Sequence, residues 1–225
     1  MKRTRKPRPQ SAHKRLAILD AAARAIAKHG FHGMSMRGLA RETGQALAGF
    51  YNYFSSKDEV LFEIQTSAFE TLIVTAEDAL RGIESPRDRL FAFIYQHGRY
   101  VAEHPDVMRV LVQEAATLPP PMRAKVRALK ERYYDLGHAI IARLYREGPK
   151  GGRADLERVT YGIFGMLNSV YGWYEPERHG TPGEVARSLH RLALSGLTAE
   201  YRHNADIERR LSVVTPLPLL GRGKP

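Results

Sequence analysis

Phe50, Tyr51, Tyr53 and Phe54 crowd into five residues beside the small side chains of Ala46, Ala48 and Gly49. A tyrosine hydroxyl can donate to a phosphate oxygen, and a ring with a polar tip suits an edge that is apolar below and polar above. On a helix, Leu47, Phe50, Tyr51 and Phe54 stand at i, i+3, i+4 and i+7, and a small unit cannot bury all four. Phe50 and Phe54 have no polar atom and are assigned to the core; Tyr51 and Tyr53 are assigned to its edge. Ala46, Ala48 and Gly49 leave the other face nearly bare, so the helix backbone can approach a groove floor closely. Packing against a neighbouring protein helix is the plain alternative.

Charge favours the groove. The chain has 225 residues and a net charge of +11, and residues 1–60 hold twelve Lys and Arg against four Asp and Glu. Such asymmetry suits a polyanion. Lys2, Arg3, Arg5, Lys6 and Arg8 form a basic arm, which either adds DNA backbone or minor-groove contacts or is simply solvated. The chain contains no cysteine, which excludes disulfides and thiolate chemistry and fits a cytoplasmic protein. No apolar run approaches membrane-spanning length, and the basic N-terminus lacks the apolar segment of a secretory signal.

The elements that must position these residues all read as helices, and no strand pattern occurs. A first helix is expected over 11–29, ended by Gly30. A second runs from Met36 to Thr43 with Ser35 as its cap, and Arg37 sits at its positive end, where the dipole does not favour its charge. After the turn at Gly44 a third helix covers 46–54. Ser56 and Glu59 make a capping box that opens a fourth, continuing or bending near Thr66. Two short helices across a tight Gly turn form a helix-turn-helix, whose second helix lies in the DNA major groove. Further helices are expected over 85–104, 106–117, 122–146, 154–174 and 182–202, with a stiff Leu118–Pro121 connection, a loop at 148–153 and a loose tail from 204.

The span 16–64 resembles the TetR family of bacterial transcriptional regulators. Ser35, Leu39-Ala40, Gly44, Tyr51-Asn52-Tyr53-Phe54 and Ser56-Lys57 carry the resemblance. It implies that residues 45–52 enter the major groove and that Tyr51 and Lys57 touch phosphates. Ala46, Leu47 and Gly49 depart from the family pattern, which often has Ser, Lys and Thr there. Direct reading is therefore assigned to Gln45, Asn52 and Arg37, with Leu47 meeting a thymine methyl, because amides pair with adenine and apolar groups with that methyl. The DNA-binding set is Arg37, Gln45, Ala46, Leu47, Ala48, Gly49, Tyr51, Asn52, Tyr53 and Lys57.

The expected fold is all-α with about nine helices: a basic arm (1–10), a helix-turn-helix domain (11–64), a larger ligand-binding and dimerisation domain (65–203) and the tail (204–225). Gly162, Gly165, Ser169 and Gly172 fall on one helical stripe, and Ala186, Leu189, Ala193 and Gly196 make a comparable face. Each stripe suggests close helix approach, either within one subunit or across a dimer. TetR-like proteins pair through their last two helices, so the resemblance implies a homodimer on a near-palindromic double-stranded operator. Phe91, Tyr95, Met108, Leu111, Tyr133, Tyr134, Phe164, Leu167, Asn168, Tyr171 and Trp173 are candidate lining for a cavity that holds a small hydrophobic effector; ordinary core is the alternative for each. The stretch 165–174 is similar to TetR regulators of fatty acid and steroid breakdown, some of which answer acyl-CoA thioesters, so acyl-CoA is the effector class implied.

The resulting reading is a repressor whose effector and operator weaken each other's binding through the fourth helix, with no membrane partner. One rival is a DNA-binding architectural protein without a ligand. The other is a helical enzyme, but the nine histidines are scattered and no His-Glu-x-x-His, Gly-x-Ser-x-Gly or Walker pattern occurs. No catalytic residue, metal or cofactor is assigned.

Overall fold

A computed structural model describes residues 9–147, 153–198 and 209. The arm at 2–8, most of the 148–153 loop and the tail from 204, apart from Arg209, lie outside them. Among the described residues the chain is all-α, with no strand and ten α-helices: α1 (Pro9–His29), α2 (Met36–Glu42), α3 (Leu47–Tyr51), α4 (Lys57–Ala79), α5 (Pro86–Glu103), α6 (Pro105–Gln113), α7 (Pro120–Glu147), α8 (Arg153–Ser169), α9 (Pro176–His179) and α10 (Pro182–Thr198).

The helix-start chemistry acts as anticipated at Ser35, whose hydroxyl accepts from the Gly38 N–H, and Ser85 caps the helix expected from 85 in the same way, accepting from the Asp88 N–H. At α4 the box is modified. The Ser56 hydroxyl accepts from the Glu59 N–H at 3.1 Å. The Glu59 carboxylate, however, reaches back to the N–H and hydroxyl of Ser55, at 2.6 and 2.5 Å. Three boundaries are corrected. The Pro119–Pro121 run is no separate connection: α7 begins at Pro120, since a first helical turn does not need the N–H that proline lacks. Helix α8 stops at Ser169 and tightens into a 3-10 turn over Val170–Gly172. Helix α6 stops at Gln113, short of the expected 117, and in addition the short α9 was not anticipated.

Apolar side chains gather into two clusters joined by α4. Ile26, Leu39, Phe50, Phe54 and Leu61 form the first, which also takes Val110, Leu118 and Val126 from α6 and α7 and the turn between them. Leu72, Phe93, Ile141, Leu167 and Leu189 belong to the second, built from α4, α5, α6, α7, α8 and α10. Helix α4 therefore contributes Val60, Leu61 and Ile64 to one cluster and Ala68, Leu72, Ile73 and Ala76 to the other. A helix packed at both ends behaves as a stiff rod between them.

Candidate nucleic-acid interface and effector cavity

The reading head is held from behind. Phe50 and Phe54 are fully buried, with ring centroids 5.3 Å apart, as their lack of polar atoms anticipates. Arg15 of α1 locks the end of this unit to α4: it pairs with the Glu63 carboxylate, donates to the Tyr53 carbonyl at 2.7 Å and lies over the Phe54 ring at 4.6 Å. The hydrogen bond that the Arg15 guanidinium donates to the Glu63 carboxylate raises the pKa of the guanidinium. No sequence motif singled Arg15 out, because its partners are 38 and 48 residues away.

What α3 shows to solvent is sparse. Ala46, Ala48, Tyr51 and Asn52 are exposed, and a Cβ added at Gly49 would meet nothing within 4 Å. Gly44, at φ +67°, turns the chain between α2 and α3 in a conformation only glycine adopts freely. Ala46 caps α3 without a side-chain hydrogen bond, leaving its first N–H groups to outside partners. Asn52 ends the helix and the half-buried Gln45 precedes it, so the two amides flank the bare face. Arg37 is exposed on α2, with no hydrogen-bond or ion-pair partner among the described residues.

Leu47 and Lys57 are more internal than anticipated, while Tyr53 is half-buried at the edge as assigned. Leu47 and Tyr53 pack partly against the first cluster. The Lys57 ammonium donates to the Phe31 carbonyl at 3.1 Å and sits 4.3 Å over the Phe31 ring. A phosphate would have to share Lys57 with Phe31, which is feasible for a group with three N–H donors.

A cavity of about 630 Å³ opens between α4, α5, α6, α7 and α8, within the usual range for ligand sites. Met108, Leu111, Tyr133, Tyr134, Phe164 and Asn168 line it as anticipated. Five other candidates do not. Phe91 and Tyr95 lie one step around α5 from its buried stripe and turn to α10: Phe91 meets the His190 ring at 5.3 Å, and Tyr95 lies against Gly183. Leu167 is sealed in the core. The break after Ser169 rotates the last two off the α8 stripe. Tyr171 lies under the Arg109 guanidinium at 5.6 Å, and the partly exposed Trp173 donates its indole N–H to Ser169 at 3.3 Å.

The cavity also has polar residues that sequence reasoning missed. Gln65 and His97 are each 1% exposed and line it, while Arg123, Arg127 and Lys130 of α7 add positive charge to its wall. Burial lowers the His97 pKa to about 4, and its Nδ1 lies 2.9 Å from the Tyr133 hydroxyl, whose own pKa burial raises. The cations were legible as an i, i+4, i+7 stripe. The two buried polar residues carry no local signal.

The small-residue stripes separate by role. Gly162, Gly165, Ser169 and Gly172 are exposed, and a Cβ at any of the three glycines would meet nothing within 4 Å. Gly165 also borders the cavity and Gly172 lies on the 3-10 turn, so the side of α8 open to another body is that of Gly162 and Ser169. Ala186, Leu189 and Ala193 are buried in the subunit's own second cluster, because the apolar face of α10 packs on α5. They are corrected from dimer surface to core. The exposed side of α10 carries Ser188, Ser195, Gly196 and Leu192, the last 65% exposed. Among the described residues no helix is long and apolar enough to cross a membrane.

Known proteins share this architecture. A family model described as bacterial regulatory proteins, tetR family, matches residues 18–64, and one described as tetracyclin repressor-like, C-terminal domain, matches 84–197. The chain is 30% identical to PfmR, a TetR family transcriptional regulator from Thermus thermophilus; the match covers 81% of this chain and 96% of that one, with a TM-score of 0.70. AibR, solved in complex with isovaleryl coenzyme A and operator DNA, shares the fold at 24% identity and TM-score 0.70 over 80% of this chain and 97% of its own. A fatty acid metabolism regulator protein of Bacillus subtilis (strain 168) is 22% identical over 84% of this chain and 97% of its own length.

Proposed function

Since the chain belongs to the TetR family of bacterial regulatory proteins, and is thus a DNA-binding transcriptional regulator, we propose that it is a repressor that grips a near-palindromic operator as a homodimer. A small amphiphilic effector, for which an acyl-CoA thioester is the leading class, enters the cavity and releases it. The observation that carries the DNA reading is the bare outer face of α3, flanked by Gln45, Tyr51 and Asn52 on a rigid aromatic base. Gln45, Asn52 and Arg37 read base edges; Tyr51 and Lys57 hold phosphates. The exposed sides of α8 and α10, around Gly162, Gly165, Ser169, Gly172, Leu192 and Gly196, pair with their copies. Residues 11–64 act as the reading domain and 65–203 as the sensing and pairing domain.

Release follows from linkage. A dimer fits DNA when its two α3 helices stand about 34–36 Å apart, one helical turn. An effector that favours another spacing weakens operator binding, and the operator weakens effector binding by the same factor. The rod α4 carries the strain, since it is packed in both clusters. A fixed contact runs beside it: Glu114, at the end of α6, accepts the Phe31 N–H through its carboxylate and the Gln65 amide through its carbonyl, each at 3.0 Å. Isovaleryl coenzyme A bound to AibR and the cations at the cavity wall support the effector class.

The test is selection of bound duplexes from fragments of the source genome, followed by titration of the bound operator with acyl-CoA thioesters of graded length. A near-palindromic sequence should be enriched and then released. Indifference to every duplex at modest ionic strength would overturn the reading.

A further inference from the structure

Two residues of the cavity wall each carry a buried polar atom without a partner. Gln65 donates its amide N–H to the Glu114 carbonyl at 3.0 Å, which fixes the amide's orientation and leaves Oε1 without a donor. His97 uses Nδ1 on the Tyr133 hydroxyl at 2.9 Å, and its Nε2 is unmatched. Both residues are almost fully buried and both line the same cavity. A buried polar group without a partner costs free energy comparable to a lost hydrogen bond. A cavity meant for a bare hydrocarbon would be better lined by Leu or Met at both positions. Elsewhere the wall is apolar in just that way, at Leu72, Met108 and Phe164.

The chemistry of the missing partner is constrained. Gln65 Oε1 accepts only, and it repels a carboxylate. Burial keeps the imidazole uncharged at neutral pH, so it offers no cation to hold one. Positive charge is available instead at Arg123, Arg127 and Lys130, of which Arg127 and Lys130 are exposed. The anionic end of a guest therefore belongs at the solvent side of the wall and a neutral oxygen at the buried side. A hydroxyl donates to an amide oxygen and accepts from an imidazole N–H. The Tyr133 hydroxyl has no other acceptor among the described residues, so we assign it as the donor to Nδ1, which leaves the imidazole proton on Nε2, ready to be accepted. A ketone meets the imidazole alone, and a methylene meets neither group.

Resting on the effector reading above, we propose that the effector is a hydroxylated amphiphile: an anionic head at Arg123, Arg127 and Lys130, an apolar chain, and a chain hydroxyl held by Gln65 and His97. The protein then distinguishes an oxygenated acyl chain from its saturated counterpart.

The experiment is calorimetric titration of the full-length protein with acyl-CoA thioesters of matched length, either saturated or carrying one hydroxyl at successive chain positions. The wild type and the Gln65→Leu and His97→Gln variants are compared, with circular dichroism melting as the check on folding. At least one hydroxylated member should bind the wild type about tenfold tighter than its saturated match, equivalent to about 1.4 kcal/mol. Gln65→Leu should bring the pair within about twofold. Saturated chains binding as tightly as every hydroxylated isomer, or a preference that survives both variants, would overturn the inference and leave the effector reading standing. If neither thioester series binds a protein that still holds its operator, the effector reading itself fails. Should a variant not fold, the wild-type comparison alone decides.

Discussion

At the residue scale, His97 ties stability to pH. Its imidazole is neutral in the native protein down to about 4, against 6.5 when unburied. Between those values the unfolded chain binds the proton and the native chain does not, so stability rises with pH across this window. The contribution is complete above the unfolded value and is lost as the medium is acidified towards the native one. Full development of such a shift corresponds to about 3 kcal/mol. Melting curves of wild type and His97→Gln, taken across this range, should converge at the acid end. A parallel offset at every pH would show that His97 does not titrate this way. Gly137 is a second position where one atom matters: a Cβ there would stand 2.8 Å from Phe164 and 2.9 Å from Phe93 ring carbons. Those rings already meet edge to face. Gly137→Ala gains about 1 kcal/mol of helix propensity but forces about 1–3 kcal/mol of overpacking. The melting temperature is expected to fall by a few degrees, and Phe164 to shift in the cavity. An unchanged or higher melting temperature would show that the rings yield freely. Neither residue was legible beforehand, since an isolated His or Gly within a helix carries no mark of what lies across from it.

At the element scale, α4 and the end of α6 govern communication. Glu114 is used four ways: its carboxylate accepts the Phe31 N–H and, at 2.7 Å, the Thr117 hydroxyl, and its carbonyl accepts the Gln65 amide and the Thr117 N–H. Phe31 in turn holds Lys57 through its own carbonyl, so a path of direct bonds runs from the cavity wall to a phosphate-contacting candidate. Coupling free energies between sites are typically about 1–3 kcal/mol. Glu114→Ala removes the carboxylate but leaves the carbonyl. It is expected to cut the effector's weakening of operator binding several-fold while changing effector affinity little. Operator titrations with and without effector measure this; an unaltered ratio would return the whole coupling to α4. The helices themselves were largely legible, because caps at Ser35, Ser56 and Ser85 and the turn at Gly44 are local chemistry. The misplaced ends of α6 and α8 were not, because they answer to distant contacts such as Glu114 to Phe31.

At the scale of the whole molecule, pairing is the open prediction. Helix α10 has one face committed to α5 and the other carrying Leu192, 65% exposed, beside Ser188, Ser195 and Gly196. Leu192→Glu places like charges on a twofold interface. The variant should sediment as a monomer at concentrations where the wild type is a dimer, keep its helical spectrum, and lose operator affinity by at least tenfold, about 1.4 kcal/mol. Dimers in both proteins would move the interface off this face.

What the amino-acid order determined by itself was the set of local commitments: an all-helical chain, a helix-turn-helix with a bare reading face, Phe50 and Phe54 inward, and a basic first quarter. Each depends on neighbours within a turn or two, where spacing and side-chain type suffice. The tertiary structure decided which face of each long helix looks at which partner. It sent Phe91 and Tyr95 to α10 rather than the cavity, folded Ala186, Leu189 and Ala193 into the subunit, engaged Lys57 on Phe31, and brought Gln65 and His97 to one apolar wall. An amphipathic stripe specifies that a face is buried but carries no information on what buries it, and only the packing of helices far apart in the chain supplies that.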